Sequence, residues 1–333
     1  MIPTGTLRPS TALAAAAIML VVAIGAGAVV GVVTRATPTP PPAPAATPAP
    51  TPEPDTGPLV FKQPLSAGCA TSDAVWVVSD GGGIGRFDRR LQHWELIDPT
   101  LRSLVAAACG ADEVTAVGSF GHVVSIDDLG KTIRADDIGV FNAYAVSLMP
   151  DGALVVGSDG TVQRQTAAGW TEYAKGITED LYGVVGFSSG SAWAVGAGGV
   201  SYRLEPAGWR LFDTGTTSSL RTVAAASPTE AIAAGDDGVI LRFDGKWHAL
   251  ESGVEHGLRA SVRVGALTYV VGDGGTALVV EGNTVRPVAN LNTTCSLRGV
   301  FARGSEVWFV GYEGTLAGVL RKSGDRIDRW GTC

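Results

Sequence analysis

A short apolar run ending in Gly-x-x-Gly recurs along this chain at almost constant spacing, and no other feature constrains the fold as strongly. It reads TAVGSFG at Gly118, LVVGSDG at Gly157, WAVGAGG at Gly196, IAAGDDG at Gly235, YVVGDGG at Gly272 and WFVGYEG at Gly311. An earlier copy, WVVSDGG, carries Ser79 in place of the leading glycine, and successive copies lie 39, 39, 39, 39, 37 and 39 residues apart. Every unit has the same grammar, clearest in the fifth. There LRTVAAAS runs from Leu220, EAIAAG follows, then the glycine turn, the alternating VILRFDG, and a last run opening on Trp247. Four short strands in each period of about 40 residues are the pattern of a β-propeller blade. The expected fold is therefore all-β, a seven-bladed propeller of four-stranded blades filling residues 59–333. Two closures of the ring stay open: Leu59–Lys62 adds an outer strand to the last blade, or Asp325–Trp330 completes that blade from its own sequence. Trp94, Trp170, Trp209 and Trp247 fall on fourth strands and Trp76, Trp193 and Trp308 on second strands, where they are expected to fill the spaces between blades.

Composition sharpens the division of the chain. All but five of the 45 glycines follow residue 58, so the glycine excess belongs to the repeat. It argues against helices, since glycine costs about 1 kcal/mol relative to alanine inside one. Ten of the 18 prolines lie between Pro38 and Pro58, interleaved with Thr and Ala. Proline fixes φ and lacks a donor, so this stretch is expected to be an extended, polyproline-II-like stalk. Residues 12–33 are 22 residues without a charge, long enough to span a bilayer core. They are expected to be an uncleaved single-pass anchor or, given Ala26-Gly27-Ala28, a cleaved export signal. The expected organisation is a short tail (1–11), a transmembrane signal-anchor helix (12–33), a Pro/Thr/Ala-rich linker (34–58) and the propeller (59–333). The propeller would lie on the extracytoplasmic side, in the periplasm or at the cell surface, and would be secreted if the signal is cleaved. A net charge of −7 gives no electrostatic reason to expect nucleic acid as a partner.

Four cysteines in an exported chain suggest two disulfides, with four free thiols as the alternative. Blade geometry orders the pairs. Cys69 and Cys109 both end a first strand, in neighbouring blades and on one rim. Cys295 precedes the first strand of blade seven and Cys333 follows its fourth, which places both on the opposite rim. The expected pairs are Cys69–Cys109 and Cys295–Cys333.

Candidate binding residues gather where first strands begin, around the mouth of the central channel. Leu-Arg recurs there at Leu101-Arg102, Leu220-Arg221, Leu258-Arg259 and Leu297-Arg298, while Tyr144 and Tyr182 fill the slot in blades three and four. The glycine turns open on the same face, with Phe120, Asp159, Asp237 and Tyr312 as candidate rim residues. Guanidinium forks take carboxylates and phosphates, and tyrosines stack on peptide or sugar. The ring either binds a partner or pairs its arginines internally with aspartates of the turns. The four histidines lie in different blades, so no metal site and no Ser-His pair stands out, and neither a catalytic residue nor a cofactor is expected.

The seven units, the glycine turns and the fourth-strand tryptophans together resemble the photosystem II stability/assembly factor family and the wider BNR (Asp-box) repeat propellers. Asp128-Leu129-Gly130-Lys131-Thr132 is similar to a worn Asp-box, with Ile133 where that motif has tryptophan. The resemblance implies a non-catalytic scaffold or assembly factor that meets a protein partner, in this chain within the cell envelope, and an arginine-rich patch similar in kind to Arg102, Arg221, Arg259 and Arg298. A carbohydrate-binding propeller using Tyr144, Tyr182, Phe120 and Tyr312 is the alternative. A BNR-type glycosidase is the second, although the Arg-Ile-Pro motif of those enzymes is missing.

Overall fold

The computed structural model describes residues 63–333, apart from 100, 101, 112, 128–131, 189 and 332. The expected membrane segment 12–33, the linker 34–58, the alternative closing strand 59–62 and most of the Asp-box-like stretch lie outside the described residues.

Seven antiparallel sheets of four strands follow one another in sequence. Blade one holds β1 (Leu65–Ala70), β2 (Ala74–Ser79), β3 (Gly83–Asp88) and β4 (His93–Pro99); blade two holds β5 (Leu104–Cys109), β6 (Glu113–Gly118), β7 (His122–Asp127) and β8 (Ile133–Asp137). Blade three comprises β9 (Ala143–Met149), β10 (Gly152–Gly157), β11 (Val162–Thr166) and β12 (Gly169–Glu172), and blade four β13 (Leu181–Ser188), β14 (Ser191–Gly196), β15 (Ser201–Glu205) and β16 (Gly208–Phe212). Blade five is β17 (Leu220–Ser227), β18 (Glu230–Gly235), β19 (Ile240–Phe243) and β20 (Trp247–Leu250). Blade six is β21 (Leu258–Val264), β22 (Leu267–Gly272), β23 (Ala277–Glu281) and β24 (Thr284–Pro287), and blade seven β25 (Ser296–Arg303), β26 (Glu306–Glu313), β27 (Leu316–Ser323) and β28 (Arg326–Gly331). Each first strand lies beside the first strand of the next blade, and β25 returns to β1, so the ring closes.

The second strands are the most apolar and the most buried, β2 throughout its length. They carry the core because each is covered on both faces by neighbouring blades. The glycine turns make that packing possible. In blade five a Cβ on Gly235 would lie 2.0 Å from the Ser219 carbonyl oxygen, and Gly238 combines a φ of 66° with a Cβ position 1.9 Å from the Val254 carbonyl. The first glycine thus lets the incoming first strand approach, and the second turns the chain while clearing the connector to the next blade. Blade one has Ser79 at the leading place, where its hydroxyl accepts from the Gly83 amide at 2.8 Å.

The tryptophans fill the inter-blade spaces. Trp193 on β14 packs among Leu220, Phe243 and Trp247 of blade five and donates its indole N–H to the Pro228 carbonyl at 3.1 Å. Fourth-strand tryptophans face the other way: Trp247 donates to Ser201 Oγ of blade four at 3.1 Å, and Trp209 to the Tyr173 carbonyl of blade three at 3.3 Å.

Blade seven is complete from its own sequence, with β28 as its outer strand. Its seam with blade one is an aromatic stack. Phe87 lies 5.6 Å from Trp308 and 5.3 Å from Trp330, Trp308 and Trp330 stack at 5.5 Å, and Trp94 meets Trp330 edge-on at 6.4 Å. Phe301 leans over Gly68, where a Cβ would come within 2.5 Å of its ring. Arg89 of blade one pairs with Glu306 of blade seven at 2.6 Å. Cys69–Cys109 joins blades one and two on one rim, and Cys295–Cys333 closes blade seven on the other.

Candidate functional site

The register of every blade slips at the same place. Pairing of the first strand with the second jumps from Leu65 to Ala67, Leu104 to Ala106, Leu181 to Gly183, Leu220 to Thr222, Leu258 to Ala260 and Leu297 to Gly299. In blade three it jumps from Ala143 to Ala145. A bulge leaves one residue unpaired and re-aims its side chain. The seven residues so released are Ser66, Val105, Tyr144, Tyr182, Arg221, Arg259 and Arg298, and all seven line one opening of about 500 Å³ at the mouth of the channel.

This placement corrects the sequence reading at Arg102. The bulged residue of blade two is Val105, and Arg102 sits in the connector before β5. Leu104, fully buried, takes the anchoring place that Leu220 and Leu258 hold in their blades, so Arg102 is outside the slot. Arg102 instead pairs with Asp137 at the end of β8. The His122 ring first, and Arg102 after it, hold the Asp137 carboxyl below the ordinary carboxylate range.

The remaining five predicted ring residues form one connected relay. Tyr144 and Tyr182 lie 5.3 Å apart at their ring centroids, and the Arg221 guanidinium covers the Tyr182 ring at 4.2 Å. Arg221 grips Asp236 with Nε at 3.1 Å and Nη2 at 2.6 Å. Arg259 reaches both ways, to Asp236 at 2.8 Å and to Asp273 at 2.5 Å. Arg298 follows, 3.3 Å from Asp273, and donates to Tyr312 Oη at 2.9 Å. The Arg221 hydrogen bonds, and behind them the charges of Arg221 and Arg259, hold Asp236 below the usual carboxylate range against the opposing effect of burial. Burial pushes the Tyr144 phenol up, and the nearby charge of Asp180 adds to it. The two carboxylates that serve the ring, Asp236 and Asp273, stand directly after the second strand, where the side chain turns toward the axis.

The rim residues behave differently. Asp159 and Asp237, the next position along, have φ of 55° and 58°, and the Asp159 charge still reaches Tyr144. Asp237 accepts from Ser218 Oγ at 2.8 Å. Phe120 holds the same left-handed place in blade two (φ 56°), is largely exposed, and its amide faces Asn142 Oδ1 at 3.4 Å. Tyr312 lies within β26, paired with Ala317, because blade seven replaces the short helical turn by a longer hairpin with Gly314 at φ 60°. That extension delivers the Tyr312 phenol to the mouth. The turn aspartates were visible in sequence, but only the offset of one residue separates those that face the axis from those that do not.

Three guanidinium groups share two carboxylates in the relay, and two further acids, Asp80 on the lining and Asp180 beside the tyrosines, balance the remaining positive charge of the mouth. Among the described residues no three His, Cys, Asp or Glu side chains gather as a metal site. Fold and mouth together define a seven-bladed propeller with an axial opening lined by tyrosines and arginines.

Solved structures with this architecture include the WD40 propeller domain of Doa1 (TM-score 0.65, 14% identity, covering 78% of this chain and 93% of that one). They also include YCF48 bound to D1 peptide (0.64, 16%, 79% and 93%) and YCF48 from Cyanidioschyzon merolae (0.63, 15%, 79% and 96%). The resemblance to photosystem II assembly-factor propellers is thus met in the fold, which is what likeness at these identities shows. No protein-family model and no curated protein matches the chain by sequence.

Proposed function

We propose that this chain is an exported, membrane-tethered, non-catalytic propeller that presents its channel mouth to a protein partner in the cell envelope, as a scaffold or assembly factor. The observation that carries the reading is that five consecutive blades expel Tyr144, Tyr182, Arg221, Arg259 and Arg298 into one opening. Guanidinium forks beside half-buried tyrosines suit an acidic or aromatic segment of another protein. The structural likeness to YCF48, which has been solved bound to D1 peptide, supports a peptide or protein as occupant. The apolar run 12–33 and the proline-rich stretch behind it support tethering and export.

A photocrosslinking amino acid placed at the exposed Phe120 position, in intact cells, tests the reading. Capture of a discrete envelope protein is expected, and the double variant Arg221→Glu with Arg259→Glu should lose it while keeping the β-sheet circular dichroism spectrum. Unchanged capture by the folded double variant would remove the arginine ring from the interface. The Tyr144–Tyr182 pair favours a second reading, sugar stacking, which a glycan array separates from the first.

A further inference from the structure

We infer that blade two holds a binding site for a guanidinium group brought by another molecule, in a pocket on the rim opposite the mouth. The repeat itself supplies the template. One place on the third strand, paired with the residue three before the end of the second, is arginine in five of the seven blades. Arg86 stands there opposite Trp76, Arg164 opposite Leu154, Arg203 opposite Trp193, Arg242 opposite Ile232 and Arg321 opposite Trp308. Each guanidinium rests against a ring, a carboxylate or both. Arg86 lies 5.8 Å over Trp76 and 2.9 Å from Glu95, Arg203 4.6 Å over Phe212 and 3.0 Å from Glu205, and Arg321 5.3 Å over Trp308 and 2.9 Å from Asp328. Arg164 covers Tyr173 at 4.9 Å and pairs with Asp151, and Arg242 pairs with Asp244 at 2.6 Å. The two exceptions differ from each other. Blade six has Val279, buried, which closes the place. Blade two has Ser125 opposite Thr115, and beside Ser125 lies an opening of about 280 Å³ lined by Glu113, Ile126, Asp127, Thr132 and Arg134.

Blade two thus keeps the acids of a guanidinium seat without the arginine. Asp127 follows Ser125 by two residues, as Asp88, Glu205 and Asp244 follow their arginines. Glu113 opens the second strand at the place of Glu306, which lies 2.6 Å from Arg89 of the next blade and 3.9 Å from Arg321. Glu230 has the same place in blade five and meets Arg263 of blade six at 2.9 Å. Blade three offers Leu148 where blade six has Arg263, and among the described residues Glu113 has no ion pair. Arg134 does not fill the seat. It is exposed and lies across the strand from Ser125, as Arg210 lies across from Arg203. In blade four both arginines stand around Glu205, Arg210 at 3.8 Å, so the outer arginine leaves room for the inner one. Charge agrees, since residues 112–136 carry five acids and two bases. A planar guanidinium fork suits carboxylates, and a carboxylate has about four lone-pair sites, enough to take it alongside another donor. The site is separate from the mouth: β6 begins at Glu113 on this rim and reaches the glycine turn of the mouth face only at Gly118.

The test is saturation-transfer NMR on the full-length chain in deuterated detergent, with the tripeptide acetyl-Gly-Arg-Gly-amide as probe. Saturable binding is expected, at least ~3-fold tighter than that of the lysine analogue. Ser125→Arg supplies the guanidinium from within and should abolish binding while the melting temperature holds. Glu113→Gln should weaken binding at least ~5-fold. Tyr182→Ala, at the mouth, should leave it unchanged. Free L-arginine as a second probe separates the sources of the group. Equal binding of both probes assigns the site to a free guanidino compound, and preference for the tripeptide assigns it to an arginine of another protein. Absence of saturable binding, equal binding of the lysine analogue, or binding that survives both Ser125→Arg and Glu113→Gln would overturn the inference. If Ser125→Arg lowers the melting temperature, Glu113→Gln alone decides. Capture of a partner at the mouth depends on none of these residues, so either reading can fail without the other.

Discussion

The seam between blades seven and one does the same task as the interface between blades four and five with one resource fewer. At the ordinary interface the backbone itself runs from β16 to β17, and Trp193, Phe212, Phe243 and Trp247 pack around that crossing. Within 63–333 no chain connection crosses the seam. More aromatic surface gathers there instead, with Phe87, Trp94, Phe301, Trp308 and Trp330 in mutual contact. The ionic relay of the mouth also stops short of it. Tyr144, Tyr182, Arg221, Asp236, Arg259, Asp273 and Arg298 link blades three to seven in sequence, whereas blade one brings Ser66 and Asp80 to the same opening. A closed propeller thus has one interface that must hold without a chain crossing, and this chain gathers three tryptophans and two phenylalanines there.

The comparison breaks most visibly at tryptophan. Trp308→Ala should cost about 5 kcal/mol and Trp193→Ala about 3, since both leave large cavities but only the second keeps a covalent crossing beside it. Chemical denaturation gives both values, and equal losses would show that the seam is an interface like the others. Replacing Cys295 and Cys333 by serine should cost about 4 kcal/mol, the loop-closure value for a separation of 38 residues. The Cys69–Cys109 pair encloses nearly the same length and should cost nearly the same. Only loss of the first should speed proteolysis at the C-terminal strand, because that bond ties the end of blade seven to the connector before its first strand, on the side of blade six; limited proteolysis reads the difference.

Smaller effects test the relay. Arg259→Ala removes the guanidinium shared by Asp236 and Asp273 and should cost about 1 kcal/mol, the groups being roughly a quarter exposed. The folded protein holds Asp236 below its unfolded value. That stabilisation is present above the unfolded pKa near ~4 and is lost as pH falls through the folded one. Melting temperature followed from pH 7 downward should therefore drop more steeply for the native chain than for Asp236→Asn, and parallel curves would detach the relay from acid stability. Smallest of all, Arg89→Ala at the seam should cost about 0.5 kcal/mol in thermal melts, because the Glu306 left behind still has Arg321 3.9 Å away.

The blades were legible in the sequence because glycine is tied to backbone geometry. Gly235 and Gly238 sit where a Cβ would collide with a carbonyl, so their spacing marks each turn. The disulfides followed from the same frame, as strand ends fix the rim on which each cysteine lies. The ring was legible only in part. Counting 39 residues back from Tyr144 arrives at Val105, whereas the Leu-Arg dipeptide at 101–102 imitates the motif three residues early. Composition favoured the dipeptide, but pairing register decides which residue faces the axis. Asp236 and Asp273 could not be told from Asp159 and Asp237 in the same acidic turns for a related reason: a left-handed turn sends consecutive side chains in different directions. Tyr312 was placed in a turn because the sixth glycine motif looks like the others, and a hairpin longer than in its neighbours is not visible from one dipeptide.

The repeated bulge has a consequence for how such a molecule can change. Seven side chains are expelled from the ladder at one fixed point in each blade, and those seven positions already hold Ser, Val, Tyr and Arg without any difference in strand count or core. They form a panel that is written separately from the scaffold. New specificities can be tried there one letter at a time, at little risk to folding, while the glycines and tryptophans behind them stay as they are.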